Sequence, residues 1–176
     1  KEGITPIMVP EMATMMFNAG IKWIDISKRE QDAFRFQVTM IRSQIQNEEM
    51  IYSFAHLVPG HSKVMICDRG TVDNMVYAKD EWQEDILSQV GSLGYLKRRY
   101  DGIIHLNTLA WGTDYKLDNP ARYETKEFAI ASDIRTWDMW SRGPDVPHIR
   151  INHDVSLDVK MEQVAQQVIK VVTSLQ

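Results

Sequence analysis

Two rhythms of apolar residues alternate along the chain. Short continuous runs, in "TPIMVPEM", "KVMIC", "DGIIHL" and "HIRIN", are too brief for ordinary helices and are bounded by Gly, Pro or charged residues. They predict strands, and "KVMIC" in particular reads as a strand buried on both faces. Between them lie segments with the three-to-four-residue period of an amphipathic helix. In residues 29–57, Phe34, Val38, Ile41 and Ile45 fall on one face of a long helix. Residues 121–140, "ARYETKEFAIASDIRTWDMW", predict another, closed by Gly143-Pro144. After Ser156, a good N-cap, the positions Leu157, Met161, Val164, Val168 and Val172 form the stripe of a last helix expected to pack on the sheet. "GSLG", residues 91–94, reads as a turn.

Strands joined by long helical crossovers imply an α/β fold with a parallel sheet and helices on both faces. Ligands of such sheets bind outside the carboxyl ends of the strands. The residues leaving those ends are polar here: Pro10-Glu11, Asp68-Arg69-Gly70, Asn107-Thr108 and Asn152-His153-Asp154. A carboxylate there can hold a magnesium-bound water or accept a proton, and a guanidinium can grip phosphate through two parallel hydrogen bonds. The plainer reading has Asp68 capping the next turn and Arg69 pairing with a neighbour such as Asp73.

Composition narrows the class. With 176 residues, 44% hydrophobic and 25% charged, one domain with one substantial core is expected. The net charge of −4, with Lys97-Arg98-Arg99 as the one compact basic run, gives no nucleic-acid footprint, and the triplet reads as a solvated face. A single cysteine, Cys67, fits a reducing compartment. No apolar stretch approaches the roughly 18 to 20 residues of a membrane span, and no signal-peptide pattern opens the chain, so a cytoplasmic location is expected.

Other features have both a sharp and a plain reading. The five dispersed histidines lack zinc-site spacing, so no metal site of protein ligands alone is predicted, and His105 reads as a hydrogen-bonded core residue. Met12, Met15 and Met16 read as core filling. Gln37 and Gln44, seven residues apart on the long helix, could read the polar edge of a substrate ring. Trp111 either stacks on a base or anchors its loop, and Trp137 and Trp140 either pack or ride on a lid. A Rossmann domain is disfavoured because no Gly-x-Gly-x-x-Gly follows a strand.

The ordered combination "VPEMA", "ICDRGTVDNMVY", "RRYDGIIHL", "NPARYET" and "IRINH" resembles the P-loop ATPase and kinase domain family related to the bacterial nicotinamide riboside kinase domain and the TRPL translocation defect protein. The likeness runs from about Ile7 to the final helix. It implies a P-loop kinase-like parallel sheet, of which this chain supplies four strands, and a ligand of ATP or GTP with Mg2+. It further implies catalytic roles for Glu11, Asp68 and Arg122, with Arg122 and Glu124 in a lid over the phosphates. Arg69, Gln37 and Glu124 become substrate-binding candidates, and Asn152 and His153 resemble a loop that touches the nucleotide base. The expected activity is phosphotransfer to a small molecule, or NTP hydrolysis. The alternative is a non-catalytic nucleotide- or phosphoinositide-binding module in intracellular trafficking.

One departure stands out. A P-loop needs Gly-x-x-x-x-Gly-Lys-Ser/Thr, whose amides cradle the phosphates, and no Gly-Lys dipeptide occurs here. The family's first strand and phosphate loop would precede "GITPIMVPE". The expectation is therefore a segment whose amino-terminal strand lies upstream, because removing a central strand from a complete fold would leave its two neighbours unpaired.

Overall fold

The computed structural model describes residues 3–60, 62–112, 125–143, 146–154 and 156–175. The α/β expectation holds. The strands are β1 (Ile4–Val9), β2 (Ser62–Cys67), β3 (Ile103–Leu106) and β4 (His148–Ile151). The helices are α1 (Met12–Asn18), α2 (Trp23–Ile26), α3 (Glu30–Ala55), α4 (Gln83–Val90), α5 (Leu93–Lys97), α6 (Lys126–Ser141) and α7 (Leu157–Ser174). Single 3-10 turns occupy Asp73–Tyr77, Asp80–Trp82 and Leu109–Trp111.

Every strand anticipated from a continuous apolar run forms, and the pairing is parallel throughout. The strands pair as β1 with β2 and β3 with β4, in two sheets of two strands each. This explains a correction: β2 is half-buried along its whole length, not buried on both faces. Only a sheet covered by neighbours on all sides dries such a strand completely.

The chain divides into two compact units, Lys1–Leu96 and Lys97–Gln176. In the first, α3 is the spine. Its predicted stripe places Val38 and Ile41 in a core completed by Val9, Met12, Val72, Met75, Ile86 and Leu96. Met12 alone of the three early methionines is buried; Met15 is 39% exposed. Arg42 donates from Nη2 to the Gln89 carbonyl (3.0 Å), tying α3 to the end of α4. That end requires glycine: Gly91 has φ 110°, and a Cβ there would lie 2.7 Å from the Tyr95 ring. The "GSLG" turn is thus α4's stop followed directly by α5.

In the second unit, α6 starts at Thr125, whose hydroxyl accepts from the Phe128 amide, and α7 starts at Ser156, which accepts from Val159. α7 does pack near the strands: a Cβ on Gly102, just before β3, would lie 3.0 Å from Val171. The start of the predicted stripe projects instead, with Leu157 72% and Met161 58% exposed, while Val164, Val168 and Val172 are half-buried. The buried residues of α6 are Ala129, Asp133, Thr136, Met139 and Trp140, two of them polar where a core stripe is ordinarily apolar. Lys97 corrects the solvated-triplet reading. It is 1% exposed, and its ammonium donates to the carbonyls of Trp140 and Arg142, capping the end of α6.

Candidate functional site at the strand exits

The parallel register sets the first exit. Val9 pairs with Cys67, and the Asp68 amide continues the ladder to the Val9 carbonyl at 3.0 Å, so the chains carrying Glu11 and Asp68-Arg69 leave at one edge. Arg69 Nε lies 3.6 Å from Glu11 Oε1. Thr14 donates to the other oxygen, Glu11 Oε2, at 2.6 Å. Among the described residues Arg69 is also the non-glycine residue with positive φ, 71°. A left-handed arginine costs conformational energy, and such outliers cluster at functional sites. Burial works against its charge, but Tyr77, Asp73, Glu11 and Asp68 outweigh it and raise the guanidinium's pKa.

The local alternative for this loop is corrected in its cap: Asp73, not Asp68, closes the turn by accepting from the Gly70 amide at 2.5 Å. Asp73 does add to the negative charge around Arg69, whose ion pair is with Glu11.

Beneath the exit, α3 presents a buried polar floor: Gln44, Asn47 and Glu48, all at most 7% exposed. Gln44 Nε2 donates to Glu48 Oε1 (2.9 Å) and to the Arg69 carbonyl (3.3 Å). Asn47 reaches the Pro10 carbonyl at 3.4 Å. One helix thus holds both strand exits. Gln44 Oε1 is buried with no hydrogen-bond partner, an acceptor of the kind a ligand donor satisfies. Asn47 and Glu48 escaped the sequence reading. The available signal was their place near the buried side of α3, where a core-facing helix normally carries apolar residues.

The second exit has Asn107 after β3 and Asn152-His153 after β4, joined by the Asn107 amide donating to the Ile151 carbonyl (3.0 Å). Asn107 Oδ1 and His153 Nδ1 are buried and unpartnered. Trp111 and His153 lie 6.5 Å apart, inclined by 31°. The organising group is Asp133, which sequence reasoning missed. Its Oδ1 accepts from the Thr108 amide and meets His105 Nε2, both at 3.0 Å. Its Oδ2 accepts from Trp111 Nε1 (2.9 Å) and Arg150 Nη2 (3.0 Å). Burial alone would push this carboxyl up, but the donors Trp111, Thr108 and His105 outweigh it and hold it below the usual carboxylate range. His105 is therefore the hydrogen-bonded core residue expected. Trp111 anchors its loop.

Arg122 and Glu124 lie outside the described residues. Glu11, Asp68 and Arg69 come together at the first exit, and Asn152 and His153 share the second; Gln37 is buried on α3, about two turns before Gln44. A cavity of about 610 Å³ in the second unit, lined by Trp137, Trp140 and His148, holds none of these residues.

Among the described residues no cluster of three or more metal-ligating side chains occurs. The carboxylates at the first exit that could hold a metal are Asp68, which is exposed, and Glu11 of the same loop pair. No helix among the described residues is long and apolar enough to cross a membrane.

Comparison with known proteins adds one finding. No curated protein and no solved structure matches, so the narrower kinship with nicotinamide riboside kinase domains rests on the quoted motifs alone. A family model described as an AAA domain, a P-loop NTPase-type domain, matches residues 2–156, which includes both strand exits. On that match, covering most of its length, the chain belongs to the AAA domain family.

Proposed function

We propose that this chain forms part of a single nucleoside-triphosphate-dependent domain that transfers the terminal phosphoryl group to a small molecule, with the first exit as the reacting centre. The observation that carries the reading is the ion pair of Arg69 and Glu11 beside exposed Asp68, at the carboxyl end of a parallel strand pair.

Asp68 accepts the proton of the attacking hydroxyl or holds a water on the metal, and Glu11 shares that work while fixing Arg69. Arg69 neutralises an anionic substrate group, and the buried amides of Gln37 and Gln44 read its polar edge. Asp68 and Glu11 would hold a magnesium ion, which would supply positive charge against the phosphate. Arg122 and Glu124 act from a lid, the guanidinium meeting charge that develops in transfer. Asn152 and His153 touch the base, a role favoured by the unpartnered His153 Nδ1.

The test uses the whole protein. Supplied with ATP or GTP and magnesium, it should transfer or hydrolyse phosphate. Asp68→Asn should lower the rate by about two orders of magnitude. Nucleotide binding with turnover no higher than in that variant would overturn the enzyme reading and leave a binding module. Arg122→Ala should lower turnover about tenfold or more with little change in Tm.

A further inference from the structure

The first unit holds a cavity of about 300 Å³ that the phosphate reading does not use. Trp23, Tyr77 and Trp82 line it together with Glu30 and Lys79. Both indoles are braced from α3: Trp23 lies 5.2 Å from Phe36, and Trp82 meets Phe34 edge to face at 5.8 Å. Aromatic faces are negative in charge density and attract ammonium groups, most strongly in the case of indole.

An ammonium already uses this chemistry. Lys79 Nζ sits 4.9 Å from the Trp82 ring centroid and donates to the Glu30 carboxylate, with Glu81 3.8 Å away. The Glu30 hydrogen bond raises the pKa of Lys79. Yet Lys79 stands on a short connector between two 3-10 turns, its side chain is 49% exposed, and the cavity persists beside it. Trp23 and Tyr77 remain 36% and 43% exposed. The other lysine lining the cavity, Lys28, has its charge matched by Asp25 at 3.3 Å.

We propose that this cavity binds a small primary alkylammonium ligand, and that Lys79 is its tethered occupant, displaced when the ligand enters. A free ammonium would inherit the Glu30 carboxylate and the Trp82 face, and would gain the walls of Trp23 and Tyr77. The lysine competes at the local concentration its tether gives it, which weakens apparent affinity for a free ligand.

The test is a titration of the full chain with n-butylammonium, followed through the indole N–H signals of Trp23 and Trp82. It needs no nucleotide, so its outcome is separate from that of the phosphate reading. Lys79→Met keeps the aliphatic stem and removes the charge; Lys79→Gln replaces it should the first variant fail to fold. Saturable shifts of both indoles are expected, with binding to the variant about tenfold tighter than to the native chain. Adding Glu30→Gln should undo that gain. Nα-acetyl-lysine amide binding more tightly than n-butylammonium would assign the ligand as a lysine side chain, the reverse a free amine, and either supports the site. Absent or unsaturable shifts in the variant would overturn the proposal, as would equal binding of uncharged n-butanol. Equal affinity in native chain and variant would overturn the role of Lys79.

Discussion

Asp133, beside the β3–β4 exit, and Asp68, at the β1–β2 exit, are the same side chain in opposite circumstances. Asp133 accepts from an amide, an indole, an imidazole and a guanidinium, two donors on each oxygen. A carboxylate offers about four lone-pair sites, so this one is filled. It joins α6 to β3, β4 and the Trp111 loop, and has nothing left for a ligand. Asp68 is exposed, while beside it Arg69 and Glu11 pair and a buried amide oxygen of Gln44 lies open. Saturation marks a carboxylate that holds the fold; exposure among matched charges marks one available for chemistry.

The comparison can be broken at its strongest point first. Asp133→Ala removes the acceptor of four donors, among them buried His105 and the part-buried Thr108 amide, and should cost about 3 kcal/mol in urea unfolding, with Trp111 emission shifting as its loop loosens. A loss under about 1 kcal/mol would show that the network is dispensable. Acid gives a smaller effect with a definite sign. Because the folded-state pKa of Asp133 lies below its ordinary 3.8, the unfolded chain takes up the proton first. The stability this group contributes is therefore complete above about 3.8 and lost as pH falls through the folded value. Asp133→Asn should flatten the part of the stability profile that lies below pH about 3.8. Smallest is the effect of Asp68→Asn on folding, expected within about 0.5 kcal/mol of the native chain even as turnover collapses. A loss comparable to that of Asp133→Ala would erase the distinction between the two exits.

The elements were readable because their signals are local. Continuous apolar runs gave four strands, the stepped positions of α3 gave a helix across Glu30–Ala55, and Ser156 caps α7 as its side chain allows; the Thr125 cap of α6 was not read. Glu11, Asp68 and Arg69 were readable because parallel pairing sends consecutive strand ends to one edge. Asp133 was not: its partners stand 17 to 28 residues away on three other segments. The one clue was a carboxylate in the core stripe of α6. Lys97 was misread for the same reason, since its partners are backbone carbonyls 43 and 45 residues on. The half-burial of β2 reflects how many strands flank it, which a single run of letters does not encode.

Arg69 carries one more consequence. Its φ of 71° is comfortable for glycine and awkward for anything with a Cβ. Arg69→Gly should therefore relax the loop, raising Tm slightly or leaving it unchanged, while removing the charge that faces Glu11. Backbone preference and side-chain duty pull this position in contrary directions. Variants that have shed their activity but kept their shape would be free to settle on glycine there, making codon 69 a place to tell working copies from relics.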